Sequence, residues 1–212
     1  MGSGLLVGCA SNNPYSVPVI PNTSTGCVGS MAALHTMAVP EDAMDKGKPV
    51  DPPYVDFADV SQCLHLSATA PEAVALYAIG PRRPIEMTFK LLLSPNGTMP
   101  AAVSLLDGRF RVVRAYDFAT FTRRGGEYSL PVFLNPSDSN IRYALVTPDP
   151  RYVGMGEQAH GSVGGPMAVS APGYFFLIYV GHETQTRYPF TLGGRISVGT
   201  TTEVSAPIVA PQ

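Results

Sequence analysis

Apolar and polar residues alternate in the middle of the chain in short segments separated by turn residues. The clearest case is "IEMTFKLLL" at residues 85–93, where Ile85, Met87 and Phe89 alternate with polar or charged side chains. Successive side chains of a β-strand point to opposite faces of the sheet. An alternation with a period of two therefore predicts a strand with one buried face and one wet face.

Further strand-like segments follow at the spacing expected for hairpins. They are "AVALYAI" at 73–79, "AAVSLLD" at 101–107, "FRVVRAYDF" at 110–118, "EYSLPVFL" at 127–134, "IRYALVT" at 141–147, "YFFLIYV" at 174–180 and "RYPFTLGGRISVG" at 187–199. A Gly-rich stretch at 156–166 is predicted to be a mobile hairpin or cap loop. This spacing favours antiparallel sheets over βαβ units. We therefore predict an all-β fold, an antiparallel β-sandwich of immunoglobulin-like or jelly-roll type, over residues 58–200, with a C-terminal tail at 201–212.

The N-terminal part of the chain has a different composition. Residues 1–40 contain no Asp, Glu, Lys or Arg, and prolines are frequent between residues 14 and 53. Proline removes backbone donors, and little apolar surface is available for burial there. Residues 9–57 are therefore predicted to form an extended, mostly irregular tether. The net charge of −2, with only 14% charged residues, excludes the electrostatic footprint of a nucleic-acid-binding protein.

The three cysteines, Cys9, Cys27 and Cys63, are an odd number, so one stays outside any intrachain disulfide. The sequence "LVGC" from Leu6 to Cys9 resembles a bacterial lipobox. That resemblance implies a diacylglycerol on Cys9 and a signal-peptide remnant at residues 1–8. A secretory signal has a positive start and about 7 to 15 apolar residues, so this interpretation expects coding sequence upstream of Met1. The alternative is a free thiol in an N-terminal tail. In an exported chain, Cys27 and Cys63 could pair.

Catalytic and metal-binding motifs are not recognisable in the sequence. The histidines lack metal-ligand spacing, and Ser162 lacks the G-x-S-x-G context of an exposed nucleophile. We therefore expect no catalytic residue, no metal and no cofactor. Three aromatic residues, Tyr116, Phe118 and Tyr174, are candidates for stacking on sugar rings, with burial in the core as the alternative.

Residues 73–153 resemble the maltose-operon periplasmic protein family. The matching segments are "AVALYAIGPRRPIEMTFKLLLS", "AAVSLLDGRFRVVRAYDFATF" and "EYSLPVFLNPSDSNIRYALVTPDPRYVG". The resemblance implies a periplasmic, mostly β protein encoded alongside maltodextrin uptake components, with no established enzymatic role.

Together these features predict a non-enzymatic cell-envelope lipoprotein, accessory to carbohydrate transport. The residues after the cysteine, Ala10 and Ser11, imply the periplasmic side of the outer membrane. Its expected partners are the membrane, through acyl chains on Cys9, and oligosaccharides or envelope proteins, but not nucleic acid. The alternatives are a carbohydrate-binding module and a structural subunit of an envelope complex.

Overall fold

The computed structural model describes residues 26–40, 43–45, 48–50, 52–66, 69–171 and 174–201. The strands in these ranges are β1 (Thr36–Ala38), β2 (Ala43–Asp45), β3 (Lys48–Val50), β4 (Val55–Asp56), β5 (Gln62–Leu64), β6 (Glu72–Ala78), β7 (Ile85–Leu92), β8 (Ala101–Asp107), β9 (Val112–Tyr116), β10 (Thr122–Arg124), β11 (Glu127–Leu134), β12 (Ile141–Pro148), β13 (Gly156–Ala171), β14 (Tyr174–Pro189) and β15 (Arg195–Thr201). The helical elements are short: α1 (Phe57–Val60) and 3₁₀ turns at Met31–Ala33, Phe118–Thr120 and Pro136–Asp138.

The fold is mostly β, as predicted, and has two main sheets. The first has the strand order β1-β6-β12-β8-β9, with β5 also beside β6, and the second has the order β10-β11-β7-β15-β4. Two additional pairs, β2–β3 and β13–β14, form separate two-stranded sheets. Consecutive strands β6 and β7 lie in different sheets, so the chain passes between the sheets at the turn after Ala78.

The main core takes alternate residues from both large sheets. Along β7 every second residue is buried, and Met87 and Phe89 are no more than 2% exposed. They belong to the same core cluster as Val103 of β8 and Val146 of β12, which are in the other sheet. The alternation predicted for residues 85–93 is thus confirmed, and it points the apolar face of β7 towards the first sheet.

One strand corrects the prediction of purely antiparallel sheets. β1 runs parallel to β6, with Thr36 opposite Leu76 and Ala38 opposite Ala78, so the first sheet is mixed. The other half of the same β6 edge is covered by antiparallel β5, with Gln62 opposite Val74. Hairpin spacing predicts only how neighbouring strands pair. β1 reaches this edge from far upstream, where the chain direction is not fixed by a tight turn.

Part of the segment predicted as a tether packs on the domain. Leu34 is 5% exposed and joins Val74, Leu76 and Leu145 in a second apolar cluster, apart from the main core. A disulfide between Cys27 and Cys63 ties this segment to β5, with the two Cα atoms 4.5 Å apart. β6 is consequently covered on both faces, which explains its unbroken run of buried residues.

The Gly-rich stretch at 156–166, predicted to be a mobile hairpin or cap loop, belongs to a hairpin: it forms part of the long strand β13, which pairs with β14. Pairing with β14 along the whole strand overrides the low strand propensity of its glycines.

The segment predicted as one strand at 187–199 is instead divided: β14 ends at Pro189 and β15 begins at Arg195. Residues 191–194, which include Gly193 and Gly194, lie between the two strands, and glycine has a low strand propensity.

Candidate functional site

The most distinctive feature is the hairpin formed by β13 and β14, here called the arm. Each strand is 16 residues long, and the two pair antiparallel from Gly156 opposite Pro189 to Ala171 opposite Tyr174. At roughly 3.3 Å per residue the arm extends about 50 Å. Neither strand is part of the two main sheets. Within the described residues, the outer edge of each strand therefore lacks a strand partner.

The sequence of the arm changes along its length. Charged residues occur only in the half of the arm nearer the body, at Glu157, Glu183 and Arg187, and residues 158–182 contain no Asp, Glu, Lys or Arg. The outer half of β14 reads "YFFLIYV", an uninterrupted apolar segment. Midway along β13, Gly165 is exposed, and a Cβ added there would meet no atom within 4 Å. This part of the arm is therefore open around the β13 backbone.

The N-terminal strand of the arm is held to the body by Glu157. The Tyr128 hydroxyl of β11 donates a hydrogen bond to Glu157 Oε2, and the Arg123 guanidinium pairs with Glu157 Oε1. Burial, reinforced by the hydrogen bond to Glu157, raises the pKa of Tyr128. The hydroxyl thus stays protonated at neutral pH and continues to donate.

The C-terminal strand of the arm ends in an aromatic cluster. Phe190, the residue after β14, lies edge-on to Phe118 with ring centroids 5.1 Å apart, and Tyr128 and Tyr152 contact the same Phe118 ring at 4.8 and 5.1 Å. Backbone bonds reinforce the contact: the Phe190 amide donates to Met155 O at 3.0 Å. Edge-to-face pairs add about 0.5–1.5 kcal/mol beyond their burial. The cluster therefore fixes the base of the arm.

A cluster of ion pairs in the adjoining loop supports that aromatic cluster. Asp149 is 2% exposed and accepts hydrogen bonds from Arg151 Nε at 3.0 Å and Nη2 at 2.7 Å. The Phe118 amide also donates to Asp149 Oδ2 at 3.3 Å. These bonds, chiefly those from Arg151, hold the pKa of Asp149 below its ordinary value. Arg151 reaches on to Asp117 at 3.1 Å, so it links the 3₁₀ turn that carries Phe118 to the loop before the arm.

The structure separates the three aromatic residues proposed for sugar stacking. Phe118 is 6% exposed, and its ring is surrounded by the aromatic cluster, so a ligand could reach it only if that cluster opened. Tyr116 ends β9 and is partly buried against the main core. Tyr174 begins β14, at the far end of the arm from Phe118. The three residues do not form one surface.

The structure describes two of the three cysteines. Cys27 and Cys63 are joined in the disulfide that ties the N-terminal segment to β5. Cys9 and the lipobox at residues 6–9 lie outside the described residues, as does the tail at 202–212. The lipid anchor therefore stays a prediction.

A cavity of about 510 Å³ opens beside the turn that follows β6. Its lining residues are Ala38, Val39, Ala78, Ile79, Gly80, Pro81, Arg82, Ile85 and Thr200. None of them is aromatic, so the cavity offers no ring for stacking on a sugar. Arg82 is the one charged side chain in this lining.

Other classes of site find no support in the described part of the chain. Within those ranges no group of three or more His, Cys, Asp or Glu residues could hold a metal ion. Among the same residues, no helix is long and apolar enough to cross a membrane. No protein-family model matches this chain, and neither the curated proteins nor the solved structures contain a significant match.

The sequence predicts a hairpin or cap loop at 156–166, and not the 16-residue strand that the structure shows there. Gly161, Gly164, Gly165 and Pro166 are all residues that strands disfavour. The available signal was the Pro172-Gly173 dipeptide, a turn pair with an uncharged segment on each side. That arrangement is typical of a hairpin.

Proposed function

We propose that this chain is a non-enzymatic lipoprotein of the bacterial cell envelope that acts as a structural subunit of an envelope protein complex. The observation that carries the proposal is the arm, whose two 16-residue strands pair only with each other in the described part of the chain. Open strand edges are a common way for one protein to bind another, because their backbone groups are ready to pair. In this proposal the two-sheet body is the scaffold and the arm is the interaction element.

The anchoring part of the proposal rests on Cys9. Two acyl chains on one cysteine anchor a folded domain without a spanning helix, because each buried methylene contributes about 0.8 kcal/mol. The Cys27–Cys63 disulfide supports export, since disulfides persist in oxidising compartments such as the periplasm. Ala10 and Ser11 after the lipobox cysteine favour delivery to the periplasmic side of the outer membrane.

We also propose a finer description of the fold, a β-sandwich of immunoglobulin-like or jelly-roll type. It is supported by the core shared between the two main sheets and by the inward alternation along β7. Sheets that pack face to face in this way bury alternate residues from both sides.

Mass spectrometry of the protein produced from its native locus tests the anchor. We expect an N-terminal peptide that begins at Cys9 and carries a diacylglycerol group. A Cys9→Ser variant is the control and should remain unmodified. Recovery of the unmodified, uncleaved Cys9 peptide from the natural protein would contradict the lipoprotein proposal.

A shortened arm tests the interaction element. Replacing residues 162–183 with Asn-Gly joins Gly161 to Thr184, which already face each other across the hairpin, and keeps the base of the arm. Cross-linking in cells should give specific adducts with the natural protein and none with the shortened one. Thermal unfolding of the two proteins should agree within about 0.5 kcal/mol, because the main core is unchanged. Identical adducts from both proteins would place the interaction elsewhere.

Carbohydrate binding is the second candidate function, in keeping with a role accessory to maltodextrin uptake. Besides the resemblance at 73–153, it is favoured by Tyr116, a partly exposed residue on the edge strand β9. Titration with maltodextrins should then change tyrosine fluorescence in the natural protein, and the change should be lost in Tyr116→Ala. An unchanged signal in both proteins would contradict this candidate.

A further inference from the structure

We propose that the partner of the arm is a second copy of this chain, and that the two copies pair edge to edge along β14. This inference rests on the proposed function of the arm as an interaction element, and it names the partner. An isolated two-stranded ribbon is marginally stable in water, whereas three or more strands support one another. Pairing two arms produces a four-stranded sheet in the order β13-β14-β14-β13.

The two edges of the arm are not equally able to pair. The β13 edge contains Gly161, Gly164, Gly165 and Pro166, and proline cannot donate to a ladder. Residues 174–180 of β14 contain neither glycine nor proline and consist of aromatic, β-branched and leucine residues. These residue types favour extended pairing. β14 is therefore the edge that can accept another strand.

The charge pattern favours an identical partner. Natural edge strands are protected by charged residues, above all lysine, which prevent pairing with another chain. Residues 158–182 carry no such charge, so two copies of this edge can meet without like-charge repulsion. A partner recognised through acidic or basic groups would find nothing complementary there. The nearest charges, Glu183 and Arg187, lie closer to the body than the apolar segment does.

A two-fold antiparallel arrangement centred on Leu177 fits this segment. Such an interface is self-complementary, so Phe175 of each copy faces Tyr179 of the other and the two Leu177 residues face each other. The overlap is limited to residues 174–180, which leaves Glu183 outside it. Because the arms run in opposite directions, the two bodies lie on opposite sides of the overlap. They are separated by the lower parts of the arms.

Charge substitution at the two-fold position tests the inference. The full chain with Cys9→Ser is used so that acyl chains cannot cause association. Light scattering should give the mass of a dimer. Leu177→Lys and Leu177→Glu should each reduce the dimer at least tenfold because like charges then face each other, and an equimolar mixture of the two should restore it. Gln185→Lys, which adds a charge outside the overlap, should remain dimeric.

Cross-linking checks the register independently. In the Cys9→Ser background, Leu177→Cys should form an interchain disulfide under mild oxidation, whereas Gln185→Cys should not, because only position 177 lies at the two-fold axis. Unchanged thermal unfolding of each variant at low concentration shows that the body is intact. Equal cross-linking at both positions would overturn the proposed register.

Two results would overturn the inference as a whole. One is a monomer at every concentration, and the other is a dimer that Leu177→Lys leaves intact. A monomer that binds phosphatidylglycerol vesicles through the arm would instead identify a lipid surface as its partner. If the protein is a monomer and shortening the arm still abolishes the adducts in cells, the partner is not a second copy of this chain. The arm then remains the interaction element. The proposed function fails separately, when shortening the arm changes no adduct.

Discussion

The body and the arm use the same secondary structure in opposite ways. In the body, β7 lies between β11 and β15, and its inward residues are buried in a core made by both sheets. In the arm, β13 and β14 are each twice as long as β7 and have only each other as strand partners among the described residues. The length of a strand therefore does not determine how stable it is. A strand is stabilised by partner strands on both of its edges and by the burial of one face.

This difference predicts where substitutions destabilise the protein. The body should lose stability when a core side chain, a cross-link or a buried ion pair is removed. The arm should tolerate the same kind of change in its outer half, because unfolding of the body does not depend on it.

The largest difference should come from removing one aromatic side chain in each region. Phe89→Ala in β7 should lower the free energy of unfolding by about 3–5 kcal/mol, because Phe89 is 2% exposed and a cavity remains. The matched variant Phe176→Ala in β14 should cost about 1 kcal/mol or less. Urea denaturation at low protein concentration measures both. Equal costs would mean that the outer arm contributes to the body core.

Loss of the disulfide should be the next largest effect. Cys27→Ser should destabilise the protein by about 2–4 kcal/mol, because the bond closes a loop with a sequence separation of 36 residues and fixes the Leu34 cluster on β6. Thermal unfolding with and without reductant gives the same comparison in the natural protein. Cys9→Ser serves as the control and should leave the unfolding transition where it was.

A smaller, pH-dependent effect is expected at the base of the arm. Asp149→Asn should cost about 1.5–3 kcal/mol at neutral pH, because Asp149 accepts charge-assisted bonds from Arg151 in a buried position. Its pKa is lowered in the folded protein, so its contribution is present above about pH 4 and is lost as the pH falls further. The two stability curves should therefore converge in acid. Parallel curves down to pH 2 would contradict this role.

The smallest effect should come from the tyrosine that holds β13. Tyr128→Phe keeps the ring in the aromatic cluster but removes the hydroxyl that donates to Glu157, at a cost of about 1 kcal/mol. Hydrogen exchange should become faster in the first residues of β13 and stay unchanged in β7. Glu157→Gln leaves one acceptor oxygen for two donors and removes the ion pair with Arg123, so it should speed this exchange more than Tyr128→Phe does. Faster exchange throughout the body would instead assign Tyr128 a general role in folding.

The same contrast explains how far the sequence predicts the fold. β7 was predictable because one face is buried and the other is not, so Ile85, Met87 and Phe89 appear in strict alternation. β1 was not, because "TMA" is too short to show a period and its partner β6 is distant in the sequence. The location of Phe118 was equally hidden. An aromatic residue in "AYDFATF" is compatible with a ligand surface or with a core, and only tertiary packing decides.

The arm shows most clearly where prediction from the sequence fails. Gly161, Gly164 and Gly165 lower the strand propensity of β13, and this local composition predicts a hairpin or cap loop rather than a long strand. Its extended conformation comes from 16 residues of pairing with β14, which no local pattern encodes. The candidate interaction site was therefore only half predictable, through the apolar segment at 174–180.

Hydrogen–deuterium exchange of the arm at low and high protein concentration tests the central claim most directly. An antiparallel dimer along β14 adds hydrogen bonds to those amides of residues 174–180 that do not face β13, while the β13 edge gains none. We predict that peptides covering 174–180 exchange more slowly as concentration rises, whereas peptides covering 161–166 do not change. Exchange of residues 174–180 that is the same at all concentrations would contradict the claim that this edge pairs with a second copy.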